Sequence, residues 1–396
     1  MEKITLTFVP ALLAILVAAG LGRMLSKRMK QPAILGELIL GMILGNLIIL
    51  SNPEPISLIA DIGILILLFS IGLGLNFEEF KRLEVASSIV AAFGVVLPFI
   101  LGYLAAYFFF YSHIIALFIG GALVATSVGV NASVLTELRM LRTRVGTLIM
   151  GAAVIDDVIG VVMISVLISV VTTGVIPIGE ISLLIVLAVL FFVLSLTVGI
   201  KVVRKLAEKI TIGRESLLLL GLIIVLAFGL MAVEIGLAAI IGAFIAGLVV
   251  GQTHFVRGLR EHVSLIGGGF FIPIFFVWIG MSFDVNAFMS IGSFAVVLII
   301  VAIIGKLVGC SFGAKASKFS NRESLATGVA MIARAEVALI ITTLMLDYSV
   351  EHPSVMSLVV ASSVASAILV MVIITTLITP PSLWRVLKMI KSRKEV

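Results

Sequence analysis

The chain has 396 residues, of which 61% are hydrophobic and only 12% are charged, and its mean hydropathy is +1.33. A soluble globular chain carries about 25% charged residues, so this composition excludes a soluble protein and predicts a polytopic membrane protein. The net charge of +6 does not indicate nucleic-acid binding, because the Lys and Arg residues lie in short loops between apolar runs. A single cysteine, Cys310, excludes a disulfide framework and thiolate zinc clusters.

Charged residues and Pro/Gly breaks divide the chain into apolar runs that predict thirteen transmembrane spans. The stretch 215–253 counts as two spans, because one helix of that length would measure ~58 Å against a hydrocarbon core of ~30 Å. Glu234 and Gly236 mark the predicted turn. The first run is expected to be a retained span and not a cleaved signal peptide. The spans are 4–22, 33–50, 56–76, 85–110, 113–136, 146–172, 177–200, 215–233, 235–253, 263–283, 287–314, 323–346 and 354–380.

Basic residues collect in alternate loops and in the C-terminal segment. Under the positive-inside rule, this separation predicts an N-terminus outside and a C-terminus in the cytoplasm. Examples from the basic loops are Arg23 and Lys27, Arg139 and Arg142, Arg257 and Arg260, and Lys388 and Lys391.

Two adjacent aspartates, Asp156 and Asp157, lie inside the sixth run. Neither apolar flank, 147–155 or 158–171, reaches the ~20 residues that a crossing requires, so both flanks belong to one helix with the acids near the membrane centre. A charge there costs at least ~2.5 kcal/mol, which predicts a functional site. Carboxylate oxygens suit Na⁺, Li⁺ or H⁺, and adjacency couples the titration of the two acids. The alternative is a pair at a helix end in a loop.

The chain also matches itself at an offset of 206 to 208 residues. The segments 33–36, 71–73 and 118–130 correspond in order to 239–242, 279–281 and 326–338. The two halves begin seven spans apart, and an odd number of spans predicts opposite orientations in the membrane. Inverted repeats are typical of secondary transporters, with the binding site at the repeat interface. The simpler alternative is that Gly-xxx-Gly patterns recur in any packed bundle.

The repeat pairs two unusual spans. Span 5 carries Thr126, Ser127 and Asn131 near its centre, and span 12 carries Arg334 and Glu336. Residues two apart on a regular helix point to different sides, so a central Arg334 and Glu336 predict a broken helix. Discontinuous helices at corresponding places in two repeats are a typical form of a transporter site. For Arg334 and Glu336, a structural ion pair and direct ion contact both remain open.

Lys306, in span 11, is the candidate base for one of the two acids. Residues 287–305 could span the membrane alone, which would leave Lys306 extending to the cytoplasmic interface. Continuation of the apolar run to Lys315 favours an interior position. Sequence leaves both positions open.

These residues together resemble the cation:proton antiporter-2 family, and especially its sodium/proton exchangers with a double-aspartate motif (NapA-type). The matching segments are QPAILGELILGMILGN (31–46), DIGILILLFSIGLGLNF (61–77), ATSVG (125–129), IDD (155–157), GAFIAGLVVG (242–251), FFIPIFFVWIGMSFD (270–284) and ARAEVALI (333–340). The resemblance implies an all-α, NhaA-like fold in which spans 1–6 and 8–13 form inverted repeats, and spans 5 and 12 cross as discontinuous helices.

The resemblance also implies a homodimer whose protomers each contain a scaffold domain and a moving core domain. The scaffold comprises 1–83 and 215–285, the core 84–173 and 286–380, the linker 174–214, and a basic tail 381–396.

The family's site residues carry over to matching positions. Asp157 is implied as the main carboxylate for the cation and the proton, and Asp156 as its partner, which pairs with Lys306 when no cation is bound. Thr126 is implied to supply oxygen, whereas Ser127, Asn131, Arg334 and Glu336 support the crossing. The chain departs from the family pattern at three places. Gly74 stands where the family often has an acid, Ala335 lies in the ARAE motif, and no nucleotide-binding domain is expected after Val396. The third departure, with Asp156 present, favours Na⁺ over K⁺.

We therefore expect an electrogenic Na⁺(Li⁺)/H⁺ antiporter with elevator-type alternating access, in a prokaryotic inner membrane, for sodium and pH homeostasis. No cofactor and no nucleic acid are expected, only the bilayer, a second protomer and the transported ions. A K⁺/H⁺ antiporter is the alternative. An intramembrane aspartyl protease is the alternative from another class, but it requires two aspartates on different helices.

Overall fold

The computed structural model describes residues 4–173, 177–209, 214–253, 256–283, 292–334, 336–353 and 356–391. Within these ranges the chain is almost entirely helical, as the long apolar runs predict. Nine of the described helices are long and apolar enough to cross a membrane, and three further apolar helices are shorter.

The helices follow the predicted spans in chain order. The first nine are α1 (Phe8–Arg28), α2 (Ala33–Leu47), α3 (Glu54–Gly74), α4 (Phe77–Arg82), α5 (Glu84–Phe110), α6 (His113–Ala122), α7 (Val128–Glu137), α8 (Arg144–Thr173) and α9 (Ile178–Leu194). The others are α10 (Ile200–Lys209), α11 (Arg214–Glu234), α12 (Ala239–Val250), α13 (Val256–Ile266), α14 (Ile272–Met281), α15 (Ser293–Ala316), α16 (Asn321–Ala330), α17 (Glu336–Glu351) and α18 (Leu358–Lys391). π-Helical turns at Ser195–Gly199 and Gly267–Phe271 join α9 to α10 and α13 to α14.

The first predicted span begins, and the second ends, in extended backbone and not in helix. Residues Ile4–Leu6 (β1) and Ile48–Leu50 (β2) form a short parallel pair, with Ile4 opposite Ile48. The all-α prediction is therefore wrong for these two segments. β-Branched residues favour extended backbone, and the partners lie 44 residues apart, where no local pattern shows their pairing.

The turn predicted inside 215–253 is confirmed. Helix α11 ends at Glu234, Gly236 adopts a left-handed conformation with φ +84°, and α12 begins at Ala239. Only glycine takes this conformation without steric cost.

The last helix is longer than its predicted span. Although the span was predicted to end at 380, α18 continues through Pro380 and Pro381 to Lys391. Leu383 and Leu387 are fully buried there, so packing of this apolar face extends the helix into the segment predicted as a basic tail.

The chain divides into two compact units. Unit 1 comprises Met1–Lys81, Leu135–Thr147 and Leu183–Asp284, and unit 2 comprises Arg82–Val134, Leu148–Ser182 and Val285–Val396. In unit 1, α2 packs on α1 and α14, and α12 packs on α3 and α11. In unit 2, α15 packs on α5, α16 and α18, and α6 packs on α5 and α17.

Unit 1 contains reciprocal contacts between the two halves of the chain. Gly41 of α2 and Gly280 of α14 lie at one helix crossing, and Gly72 of α3 and Gly247 of α12 lie at another. A Cβ at any of the four would lie 2.3 Å from a carbonyl oxygen of the facing helix. At the repeat offset, Gly41 corresponds to Gly247 and Gly72 to Gly280, so one crossing is the counterpart of the other. Two halves related by a twofold axis pack in this way.

Helix starts recur at the same offset. Helices α1 and α11 begin 206 residues apart, as do α2 and α12, whereas α6 and α16 begin 208 residues apart, as do α7 and α17. The internal repeat predicted from sequence is therefore visible in the helices of both units.

Candidate functional site

Unit 2 contains two interrupted helices at corresponding places, as predicted. Helix α6 ends at Ala122 and α7 begins at Val128, while α16 ends at Ala330 and α17 begins at Glu336. Threonine and serine in the first break have short polar side chains that bond to nearby backbone and compete with helix formation. Each break exposes the terminal carbonyl groups of one short helix and the terminal amides of the next, which require partners.

The two breaks satisfy each other's backbone groups. The Ser127 amide donates to the Ala333 carbonyl at 2.8 Å, and the Thr126 hydroxyl donates to the Met331 carbonyl at 3.2 Å. Arg334 Nη2 donates in return to the Leu123 carbonyl at 3.0 Å. At an offset of 208, Thr126 corresponds to Arg334 and Leu123 to Met331. The two side-chain bonds are therefore counterparts, and the crossing has the symmetry of the repeat.

Arg334 is the central donor of the crossing. Its side chain is fully buried and also donates to the carbonyls of Ile332 at 3.0 Å and Ala302 at 3.1 Å. The Thr376 hydroxyl donates to the Arg334 carbonyl at 2.5 Å. A cation at the carbonyl ends of two short helices compensates their dipoles. Arg334 therefore braces the crossing through backbone carbonyls, while Ala335 and the Glu336 side chain lie outside the described residues.

Asp156 forms a buried ion pair with Lys306. Lys306 Nζ lies 2.7 Å from Asp156 Oδ2, and both side chains are 0% exposed. The interior position of Lys306, which sequence left open, is the one observed. The other carboxylate oxygen, Oδ1, has no hydrogen-bond partner among the described residues. Both acids lie near the middle of α8, about 18 Å along its axis from Arg144 at 1.5 Å per residue.

Small residues bring Lys306 into the interior. A Cβ at Gly305 would lie 2.9 Å from Pro98 Cα, and one at Gly309 would lie 2.5 Å from the Phe93 carbonyl oxygen. Helix α15 therefore packs on α5 almost backbone to backbone. Lys306 lies between these two glycines in the sequence, and its side chain is buried.

The α5 side of this contact and Thr376 were not identified from sequence. Gly94 of α5 faces Cys310 Sγ and Lys306 Nζ. A Cβ added at Gly94 would lie 3.8 Å from Lys306 Nζ. The spacing of Gly305, Gly309 and Gly313 was a visible signal for close packing, whereas Thr376 had none.

Further oxygen atoms lie in the same unit. Asp157 is 7% exposed, Ser127 1% and Asn131 0%. Asn131 Nδ2 donates to the Ser127 carbonyl at 3.3 Å, while Ser127 Oγ and Asn131 Oδ1 are buried without a hydrogen-bond partner in the described part of the chain. Two carboxylates and neutral oxygens at a helix crossing offer hard ligands for a small cation, and each carboxylate can also take a proton.

A helical membrane protein with a buried acid–lysine pair beside two crossed helix breaks has the features of an ion-coupled secondary transporter. Comparison with known families agrees. The model of the family described as "Sodium/hydrogen exchanger, transmembrane" matches residues 12–388, and the chain belongs to this family. It is thus a cation:proton antiporter family member, a membrane transporter and not an enzyme, which excludes the protease alternative.

Two curated relatives cover nearly the whole chain. The "Na(+)/H(+)-K(+) antiporter GerN" of Bacillus cereus is 33% identical over 373 residues, which is 93% of each chain. The "Na(+)/H(+) antiporter" of Enterococcus hirae is 34% identical over 383 residues, covering 94% of this chain and 96% of the relative.

A solved structure has the same fold. The sodium proton antiporter MjNhaP1 from Methanocaldococcus jannaschii at pH 8 matches with a TM-score of 0.67 and 16% identity, over 94% of this chain and 96% of that chain. This likeness concerns the fold alone.

Proposed function

We propose that the protein is a secondary active antiporter that exchanges Na⁺ or Li⁺ for protons, for sodium and pH homeostasis. The observation that carries this proposal is the buried Asp156–Lys306 pair in the same unit as the two crossed breaks. A permanently structural pair in the membrane interior is costly, because desolvation opposes each charge. The cost is explained if the ion pair takes part in transport and separates when a cation binds.

Asp157 is the carboxylate that binds either the cation or a proton. A dehydrated Na⁺ takes several oxygen ligands. In unit 2, Asp156, Ser127 and Asn131 each have a buried side-chain oxygen without a hydrogen-bond partner among the described residues, and the buried Thr126 hydroxyl, which donates to the Met331 carbonyl, is a further candidate. A proton neutralises the same carboxylate without other ligands. Binding of the two substrates is therefore mutually exclusive, which is the requirement for exchange. No cofactor takes part.

Asp156 and Lys306 together bind and release a second proton. When the cation draws Asp156 into its ligand set, Lys306 loses its partner. An unpaired cationic lysine is unfavourable in a dry environment, so Lys306 releases its proton. Two protons then leave for each cation bound, and the exchange moves net charge across the membrane. Electrogenic transport depends in this way on the interior position of Lys306.

The proposed topology has thirteen crossings in an NhaA-like arrangement. The nine long helices supply nine, α2 and α12 supply two, and the interrupted pairs α6–α7 and α16–α17 supply the last two. Unit 1 corresponds to a scaffold and unit 2 to a moving core, and alternating access is an elevator-type displacement of that core. In this arrangement the inverted halves place the ion site near the midplane.

The proposed membrane is a prokaryotic inner membrane, with the N-terminus outside and the C-terminus in the cytoplasm. The basic loops support this orientation. The family resemblance supports a homodimer that contacts through the scaffold.

A K⁺/H⁺ antiporter is the second candidate. The relative from Bacillus cereus is named for both Na⁺ and K⁺, so a site of this type accommodates more than one monovalent cation in a protein 33% identical to this one. Competition between the two cations in one transport assay separates the candidates.

The test is exchange in proteoliposomes loaded with a pH indicator. An inward Na⁺ gradient should drive proton efflux in the wild-type protein and none with Asp157→Asn, which keeps the shape of the side chain but removes its charge. Glu180→Gln, which changes an exposed acid in the first turn of α9, is the matched control and should transport normally. Undiminished proton flux through Asp157→Asn would overturn the assignment.

A further inference from the structure

The C-terminal end of α3, in unit 1, is surrounded by two arginines. Arg142 Nε donates to the Gly74 carbonyl at 2.8 Å. Arg260 approaches the same residue from α13, and a Cβ at Gly74 would lie 2.9 Å from Arg260 Nη2. Two guanidinium groups therefore converge on a position without a carboxylate.

In the described part of the chain, neither arginine has an acid as its partner. No carboxylate oxygen among the described residues lies within 4.0 Å of either guanidinium. The charges of Arg142 and Arg260 repel each other at this site. Two like charges held together around one helix end are unfavourable unless a counter-charge lies nearby. The helix end itself supplies only a partial negative charge.

A cavity opens beside Arg142. It has a volume of about 230 Å³ and is lined by Leu75, Asn76, Phe77, Glu78, Arg142 and Gln252. This volume is several times the ~30 Å³ share of one water molecule in the liquid. Asn76 and Gln252 add amide groups that donate hydrogen bonds. Glu78 and Arg142 are the acid and the base of the lining, and Arg260, which approaches Gly74 without lining the cavity, adds a second positive charge.

The donors of both arginines are largely unused. A guanidinium has five N–H donors, and Arg142 uses one of them on the Gly74 carbonyl, while Arg260 has no hydrogen bond within the described chain. Two guanidinium groups at one place match the oxygens of a phosphate, which they bind by paired N–H···O bonds.

We propose that Arg142 and Arg260 form a binding site for a phosphate group at the cytoplasmic end of α3. The ligand is either free inorganic phosphate or the phosphate of an anionic lipid headgroup, because the loop charges assign this end of α3 to the inner membrane surface. The bound phosphate supplies the counter-charge for the two arginines and links the loop 138–143 to α13 within unit 1. The site is separate from Asp156 and Asp157 and does not depend on the transported ion.

The test measures the melting temperature of purified protein, first in detergent with inorganic phosphate against chloride at equal ionic strength. The second arm uses nanodiscs of zwitterionic lipid with and without phosphatidylglycerol. Ligand binding to the folded state at a concentration well above Kd should raise the melting temperature by about 2 °C or more. The variants are Arg142→Gln/Arg260→Gln, which removes the site, and Gly74→Asp, which supplies an internal carboxylate.

The expected result is a rise for the wild-type protein in one arm and no response in either variant, with Gly74→Asp melting higher than wild type without ligand. A rise with inorganic phosphate identifies the free anion, and a rise with phosphatidylglycerol alone identifies the headgroup. Lys81→Gln/Arg82→Gln, which removes the same charge from the same side, should respond like wild type. No response of the wild type in either arm, or an equal response of the double arginine variant, would overturn the proposal.

Discussion

The ion pair between Lys306 and Asp156 permits a quantitative test, because both side chains are 0% exposed and their charged atoms are 2.7 Å apart. Removal of one partner of such a pair leaves an uncompensated buried charge, which costs about 3–5 kcal/mol. Replacement of both partners removes both charges and is often nearly neutral. We expect Lys306→Met and Asp156→Asn each to lose about 3–5 kcal/mol of stability, and the double variant to regain most of it.

The assay is a double-mutant cycle on the melting temperatures of the four purified proteins in one detergent near neutral pH. Each single variant should melt several degrees below wild type, and the double variant should melt above both. Lys315→Met is the matched control: this lysine lies on the same helix but is exposed and hydrogen-bonded to Asn321, so little change is expected. Losses of stability that simply add in the double variant would show that Lys306 and Asp156 are not energetically coupled.

Three further predictions concern transport and packing. Lys306→Met should make any remaining exchange electroneutral, so that its rate no longer responds to membrane potential in proteoliposomes; an unchanged response would contradict the role of Lys306 as the second proton carrier. Thr376→Val removes the hydroxyl bond to the Arg334 carbonyl and should cost about 1 kcal/mol in melting experiments, whereas no loss would show that this bond does not support the crossing. Gly280→Leu should lower the melting temperature strongly, because its Cβ would lie 2.3 Å from a carbonyl oxygen of α2, while Gly268→Leu, with nothing within 4 Å, should not; equal effects would refute the close contact.

Much of the fold was predictable because the membrane imposes strong constraints on the chain. Apolar runs of about 20 residues indicated where helices lie. The length of 215–253 required a turn, and Glu234 and Gly236 indicated its position. The repeat was visible because close helix crossings require small residues at set intervals, and Gly41 and Gly247 mark equivalent crossings. The two helix breaks followed from polar and charged residues in the middle of apolar spans.

Other parts of the structure depend on contacts between distant segments. The β1–β2 pair joins segments 44 residues apart, and the Thr376 hydroxyl reaches Arg334 from 42 residues away. Hydropathy gives no depth for a lysine near the end of an apolar run, so the interior position of Lys306 depended on its packing against α5. The extension of α18 beyond Pro380 depended likewise on the burial of Leu383.

In the proposed exchange, a cation and protons compete for the acids of α8. The most direct test adds Na⁺ to purified protein in weakly buffered detergent solution and follows the released protons with a pH indicator. Wild-type protein should release protons in a saturable manner, Asp157→Asn should release far fewer, and choline should release none. No proton release from the wild type with either Na⁺ or K⁺, or an equal release from Asp157→Asn, would show that cation and protons do not compete at Asp157.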